Sequence, residues 1–411
     1  MPETWLYDAV RTPFGRIGGD LAGRRPDDLA AHLVSALIER APTLGGPADA
    51  GVVDEVVLGN ANGAGEENRN VARMAALLAG MPVSVPGTTV NRLCGSSLDA
   101  AMQASRQIDL GEADLMLVGG VESMSRAPWV LPKTEKPYPA GDAQLSSTTL
   151  GWRLVNPRMP AEWTVSLGEA TEQLREKHGI TRQDQDAFAA RSHRLAAAAW
   201  EQGRYDEQVV AVPGRRSKDA PIAADQSIRP ETSVETLAEL STVFRREDPQ
   251  ATVTAGNASP MSDGAAAAWL GSARAAELLG RDPVARIVGR GAAAVEPQFF
   301  GEAPVPAAEI ALRRAGLSWS DVGAVELNEA FAAQSLACTR QWLAAGLADP
   351  ELVNAWGGAL ALGHPLGASG ARVLGTLAAR MREERVRHGV ATLCIGVGQG
   401  LAVVLENPDA G

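Results

Sequence analysis

DEVVLGN, Asp54 to Asn60, and VGAVELN, Val322 to Asn328, decide the fold. Each is a short apolar run rich in β-branched residues that ends in Asn, and Val52 to Leu58 reads as a buried strand. Working outward, VNRLCGSSLDAA (Val90 to Ala101) is matched by the stretch from Val353-Asn354 to Gly370-Ala371, with small residues just before a helix in both. DLMLVGG (Asp114 to Gly120) is matched by ATLCIGVG (Ala391 to Gly398). The three echoes keep one order. Helical stretches such as Asn70 to Ala79 and Leu98 to Ile108 alternate with the strands. That pattern predicts a duplicated α/β unit with a largely parallel sheet.

The middle of the chain differs. From Arg126 to about Arg246 it is Pro-rich, charged and less periodic. Glu169 to His178, followed by Gly179, reads as one amphipathic helix. Thr181 with Asp184 or Gln185 reads as the N-cap of a second helix that runs through Phe188 to Trp200. An excursion of this length is expected to be a cover lying over a site.

Composition excludes several classes. The chain has 411 residues, too many for one small core. Its net charge of −11 runs against a nucleic-acid binder, and no uninterrupted apolar run is long enough for a membrane span. The N-terminus lacks the basic and apolar regions of a secretory signal. Cys94, Cys338 and Cys394 show no zinc-type spacing, so no metal is expected. A cytoplasmic protein with reduced thiols follows as the expectation.

Four positions invite chemistry. Cys94 sits where a turn becomes a helix, and a helix N-terminus favours a thiolate; the bland alternative is a small buried hydrophobe. His364 is bracketed by Gly363 and Pro365 on a loop, held by backbone, and could deprotonate Cys94. Cys394 ends an apolar strand before glycines that expose N–H groups, as an oxyanion site requires; a core cysteine before a turn is the alternative. Asn328 follows its strand and could cap a helix or orient a water or carbonyl. Cys338, in a helical stretch, is assigned to packing.

VNRLCGSS, NEAFA, GGALALGHPLGASG and CIGVGQG, in this order, resemble the thiolase family. VRTPFGR, GGVESMS and TAGNAS extend the resemblance over nearly the whole chain. The run from Gly65 to Ser97, with GWRLVNP, IRPET and Val397, is most similar to the β-ketoadipyl-CoA thiolases. The resemblance implies a thiolase fold of two βαβαβαββ halves in five α/β/α/β/α layers with an inserted loop domain. The implied division is 1–125 with 246–283, a loop domain at 126–245, and 284–411. It implies Cys94 as the acylated nucleophile, His364 as its activator and Cys394 as a second acid/base. Asn328, with the His and a water, would stabilise the enolate oxygen. The N–H groups of Cys94 and Gly396 form the implied oxyanion hole. Arg229, Ala255, Gly256, Ser259, Ala330, Phe331 and Leu167 are the implied contacts to CoA and acyl chain. CoA is substrate, no cofactor stays bound, and a homodimer or homotetramer is implied. The implied reaction is CoA-dependent cleavage of a 3-oxoacyl-CoA, best 3-oxoadipyl-CoA. The alternatives are a biosynthetic acetoacetyl-CoA thiolase and a non-catalytic acyl-CoA-binding protein. Against the catalytic alternative, Ser166-Leu167-Gly168 stands where biosynthetic members carry His-Met-Gly. Ser97 and Pro260 each replace a usual Gly, and Ser97 is expected either to be neutral or to narrow the pocket.

Overall fold

The computed structural model describes residues 3–216 and 218–410. Its strands are β1 (Trp5–Arg11), β2 (Gly15–Arg16), β3 (Glu55–Gly59), β4 (Gly87–Val90), β5 (Leu115–Ser123), β6 (Trp129–Val130), β7 (Ser146–Ser147), β8 (Ser262–Gly271), β9 (Ala285–Ala294), β10 (Ala324–Leu327), β11 (His388–Ile395) and β12 (Gln399–Glu406). The helices are α1 (Pro26–Glu39), α2 (Val71–Leu78), α3 (Ser96–Asp109), α4 (Leu167–His178), α5 (Arg182–Glu201), α6 (Val234–Ala238), α7 (Ala275–Leu279), α8 (Pro304–Ala315), α9 (Ala332–Ala344), α10 (Ala359–Leu362) and α11 (Ser369–Glu383).

One long sheet runs β10-β11-β12-β9-β1-β8-β5-β3-β4, and its two halves mirror each other about the β9–β1 pair. In the first half β3 is parallel to β4 and β5, while β8 is antiparallel to β5 and β1. In the second, β10 is parallel to β11, while β12 is antiparallel to β11 and β9, so the sheet is mixed and not largely parallel as expected. The place of β4 is taken by a single parallel bridge, Val325 to Val353. Each sequence echo therefore falls on matching elements: β3 with β10, β4–α3 with the Val353 bridge and α11, and β5 with β11.

Side-chain alternation builds the layers, because successive residues of a strand point to opposite faces. In β5, Leu115 and Leu117 pack with α1 and α2, while Met116 and Val118 pack with α3. In β12, Ala402 and Val404 join the core under α8 and α9, while Leu401 and Val403 face α3 and α11. Strands buried on both faces read as continuous apolar runs, which is why β3 and β5 stand out in the sequence. Helices α3 and α11 form the shared central layer. A Cβ on Gly370 of α11 would collide with the backbone nitrogen of Leu98 in α3, so this approach requires glycine.

The inserted region contains the two helices expected there. The Ser166 side chain caps α4 through Glu169 N–H, and Gly179 ends that helix with φ 59°. Thr181 and Asp184 form a capping box on α5. The packing assigned to Cys338 also holds. It is fully buried, accepts from Gln334 and donates to Gly301 O.

Candidate active site

Cys94 lies in the tight turn between β4 and α3. Leu93 is forced to φ 47°, a left-handed conformation that costs a bulky residue about 1–3 kcal/mol. Local bonds hold it. Asn91 Oδ1 accepts from Leu93 N–H at 3.0 Å, and Ser96 Oγ accepts from Arg92 N–H and donates to Leu93 O. A second strained turn faces the first. Val397, β-branched yet at φ 69°, follows Gly396 at the end of β11.

Burial outweighs the helix N-terminus that was expected to favour the Cys94 thiolate. The residue is 8% exposed, and desolvation pushes its pKa up to about 11, although N–H groups of Gly396 and Cys94 itself pull the other way. Moving from the ordinary 9.0 to about 11 corresponds to about 3 kcal/mol, whereas a helix N-terminus supplies about 0.3–1 kcal/mol. Cys94 therefore rests as a thiol and needs a base. Burial, then its neighbour Cys94, pushes the Cys394 thiol well above the ordinary thiol range. It packs among Leu167, Ala170, Phe300, Ala330 and Phe331.

His364 sits on the loop between α10 and α11. Its backbone N–H donates to Ser262 Oγ at 3.1 Å. Burial, then the nearby Arg372, brings its pKa down to about 3, so the ring is neutral at physiological pH. The Ser369 hydroxyl donates its one proton to Pro365 O at 3.0 Å, so its oxygen accepts from His364 Nδ1 at 2.6 Å. The ring proton thus resides on Nδ1, and Nε2 keeps its lone pair.

Asn328 follows β10 by one residue. Arg372 Nη2 donates to its Oδ1 at 3.1 Å, which turns the amide nitrogen toward His364, 3.3 Å from Nδ1 and 3.4 Å from Nε2. Arg372 is itself buried and lies 3.6 Å from Glu326. Ser369 and Arg372 are the orienting residues that residue-level reading missed. Ser369 was visible only as one small residue in GGALALGHPLGASG, and a buried Arg looks like any surface Arg in sequence.

Glu122 was also missed. It is buried, and its carboxylate accepts from the N–H groups of Ala61, Asn62 and Gly367, bracing the end of β3 to the His364 loop. Desolvation outweighs those donors and brings its pKa up to about 7.

Two cavities lie among the expected residues, and His364, Asn328 and Cys394 line neither. One, of about 420 Å³, contains Cys94 and is lined by Asn62, Leu93, Trp152, Arg153, Leu167 and Gly396 among others. The other, of about 160 Å³, brings together Arg16, His193, Arg229, Ala255 and Gly256. Ser259 lies between Ala258 and Pro260, which line this groove. Its N–H donates to Ala330 O at 3.0 Å, and Ala258 pairs with Phe331. The Ser97 hydroxyl does not narrow the first cavity. It is fully buried and accepts from Ala371 N–H at 2.9 Å, tying α3 to α11. Pro260 lines the groove, and its carbonyl accepts from Ser262 Oγ. Among the described residues no cluster of three or more His, Cys, Asp or Glu could hold a metal ion, and no helix is long and apolar enough to cross a membrane.

The chain matches known proteins over its full length. Residues 5–274 match the family described as thiolase, N-terminal domain, and residues 281–407 match thiolase, C-terminal domain. A protein named beta-ketoadipyl-CoA thiolase from Pseudomonas knackmussii is 48% identical over 98% of this chain and 99% of its own. The 3-oxoadipyl-CoA/3-oxo-5,6-dehydrosuberyl-CoA thiolase of Escherichia coli K12 is also 48% identical, over 99% of this chain and 100% of its own. The crystal structure of the Bacillus anthracis acetyl-CoA acetyltransferase superposes with a TM-score of 0.89 at 36% identity, covering 99% of both chains. With its strand order, its two facing turns and both halves matched, the chain belongs to the thiolase family.

Proposed function

We propose that this thiolase cleaves 3-oxoadipyl-CoA with CoA to acetyl-CoA and succinyl-CoA. The observation that carries the reading is the full-length similarity to relatives named for that substrate, around an intact set of Cys94, His364, Asn328 and Cys394. CoA enters as substrate, bound along the Arg229, Ala255, Gly256 and Ser259 groove. The division into 1–125 with 246–283, 126–245 and 284–411, a homodimer or homotetramer, and a cytoplasmic location belong to the same proposal.

The proposed chemistry is a retro-Claisen cleavage through an acyl-enzyme. His364 Nε2 takes the Cys94 proton as Sγ bonds to C3 of the substrate. The N–H groups of Cys94 and Gly396 receive the charge on the C3 oxygen. The C2–C3 bond then breaks. Asn328 and His364, with a water, hold the enolate oxygen of the departing acetyl-CoA, while the Cys394 thiol protonates C2. Incoming CoA gives its proton to the Cys394 thiolate and attacks the succinyl thioester. Cys94 leaves and recovers its proton from His364. A high thiol pKa suits both cysteines. Neither is spent as a resting thiolate, and each ionises only as its partner bond forms or breaks.

The test is thiolysis of 3-oxoadipyl-CoA, acetoacetyl-CoA and a medium-chain 3-oxoacyl-CoA by the intact protein. A kcat/KM highest for 3-oxoadipyl-CoA is expected. Preference for acetoacetyl-CoA would keep the chemistry and reject the substrate, and absence of both cleavage and a Cys94 adduct would leave a binding protein.

Ser369 offers a separate check. Ser369→Ala removes the acceptor that holds the Nδ1–H tautomer, so kcat is expected to fall about 10- to 100-fold. KM for CoA should hold, because Ser369 lies outside the CoA groove. Slower alkylation of Cys94 by iodoacetamide at neutral pH would accompany the loss. An unchanged alkylation rate would show that the tautomer is set elsewhere.

A further inference from the structure

We propose that Arg153 is the specificity residue that receives the distal carboxylate of the acyl chain, a proposal that rests on the dicarboxylic substrate reading above. The cavity that contains Cys94 has one cationic side chain among its lining residues, and that is Arg153. Among the described residues its guanidinium has no hydrogen bond and no ion pair, although it is half-buried in the wall. The nearby Arg92 and Arg126 differ: Arg92 is tied to Asp99 and Gln399, and Arg126 to Glu66. The one acidic residue in the wall, Glu122, already accepts from three backbone N–H groups.

The segment that carries Arg153 is anchored at both ends. Thr148 bonds to Pro128 O and accepts from Asn62 Nδ2, and Trp152 Nε1 donates to Val165 O at 3.0 Å. Gly151 and Leu154 take left-handed φ values of 82° and 51°, turning the chain sharply on either side of Trp152 and Arg153. An unpaired guanidinium held in the acyl cavity by a braced turn suits a carboxylate, which it can meet with two parallel N–H donors. After cleavage of 3-oxoadipyl-CoA the group on Cys94 is a succinyl chain. Its free carboxylate lies two methylenes beyond the thioester carbon. A plain acyl chain of the same length would place a methyl against the cation and desolvate it without return.

The test compares 3-oxoadipyl-CoA with 3-oxohexanoyl-CoA, which has the same chain length and a methyl end. The readout is the ratio of the two kcat/KM values in wild type, Arg153→Gln and Arg153→Lys. A misfolded fraction lowers both values equally and leaves the ratio alone. The ratio is expected to favour the dicarboxylic substrate in wild type, to fall about 10- to 100-fold in Arg153→Gln, and to recover in part in Arg153→Lys. A wild-type preference that survives Arg153→Gln within about threefold, less than a charged hydrogen bond contributes, overturns the assignment while the substrate reading stands. No wild-type preference overturns the substrate reading, and the assignment with it.

Discussion

Cys94→Ala is expected to abolish thiolysis, lowering kcat by about 10⁴-fold or more, because the proposed mechanism carries the acyl intermediate on Cys94. Mass spectrometry of the wild type mixed with acyl-CoA should find the acyl group on Cys94, and the variant should carry none. The change removes a sulfur from a turn whose shape is set by Asn91, Arg92 and Ser96, so the fold should hold and the thermal midpoint should change little. A variant that is stable yet still cleaves a 3-oxoacyl-CoA would place the nucleophile elsewhere. Cys338 would not be the substitute, since it is a fully buried residue of α9 and donates to Gly301 O.

Cys394→Ala should produce a different failure. Without the thiol that protonates C2, cleavage of the C–C bond is expected to slow by about 10³-fold. Acylation of Cys94 by a simple acyl-CoA needs the nucleophile, His364 and the Gly396 N–H, all of which remain. Mass spectrometry should therefore still detect the acyl enzyme when this variant is mixed with succinyl-CoA or acetyl-CoA. Loss of both readouts in Cys394→Ala would mean that Cys394 shapes the pocket instead of moving a proton. That alternative has a physical basis, since Cys394 packs against Ala330, Phe331 and Leu167. The adduct measurement separates the two roles.

Much of this was legible in the chain because local pattern carries it. DEVVLGN and VGAVELN are apolar on both faces, as strands between two helical layers must be, and they become β3 and β10. Gly179, Thr181 and Asp184 mark helix ends through bonds to residues a few positions away, so their role survives any tertiary context. Cys94, His364, Asn328 and Cys394 were recognisable because each sits in a turn of small residues.

Other features depend on residues far apart in sequence. The resting state of Cys94 could not be read locally, since its turn suggested a lowered pKa and burial raises it. Ser97 looked like a change in the pocket, yet it binds Ala371, 274 positions away. Arg372 directs Asn328 from α11, and Glu122 braces two loops that join only when the central helices pack. Arg153 stood in GWRLVNP without a role until the turn at Gly151 set it in the cavity of Cys94.

The sequence by itself determined the strands, the helix ends, the duplication and the candidate reactive groups, because hydrophobic period, capping and turn chemistry act over a few residues. Only the tertiary structure decided the protonation of those groups, their orientation and the cationic side chain in the wall of the Cys94 cavity. Those depend on desolvation and on hydrogen bonds between the halves of the sheet, and neither exists until α3 and α11 close the central layer.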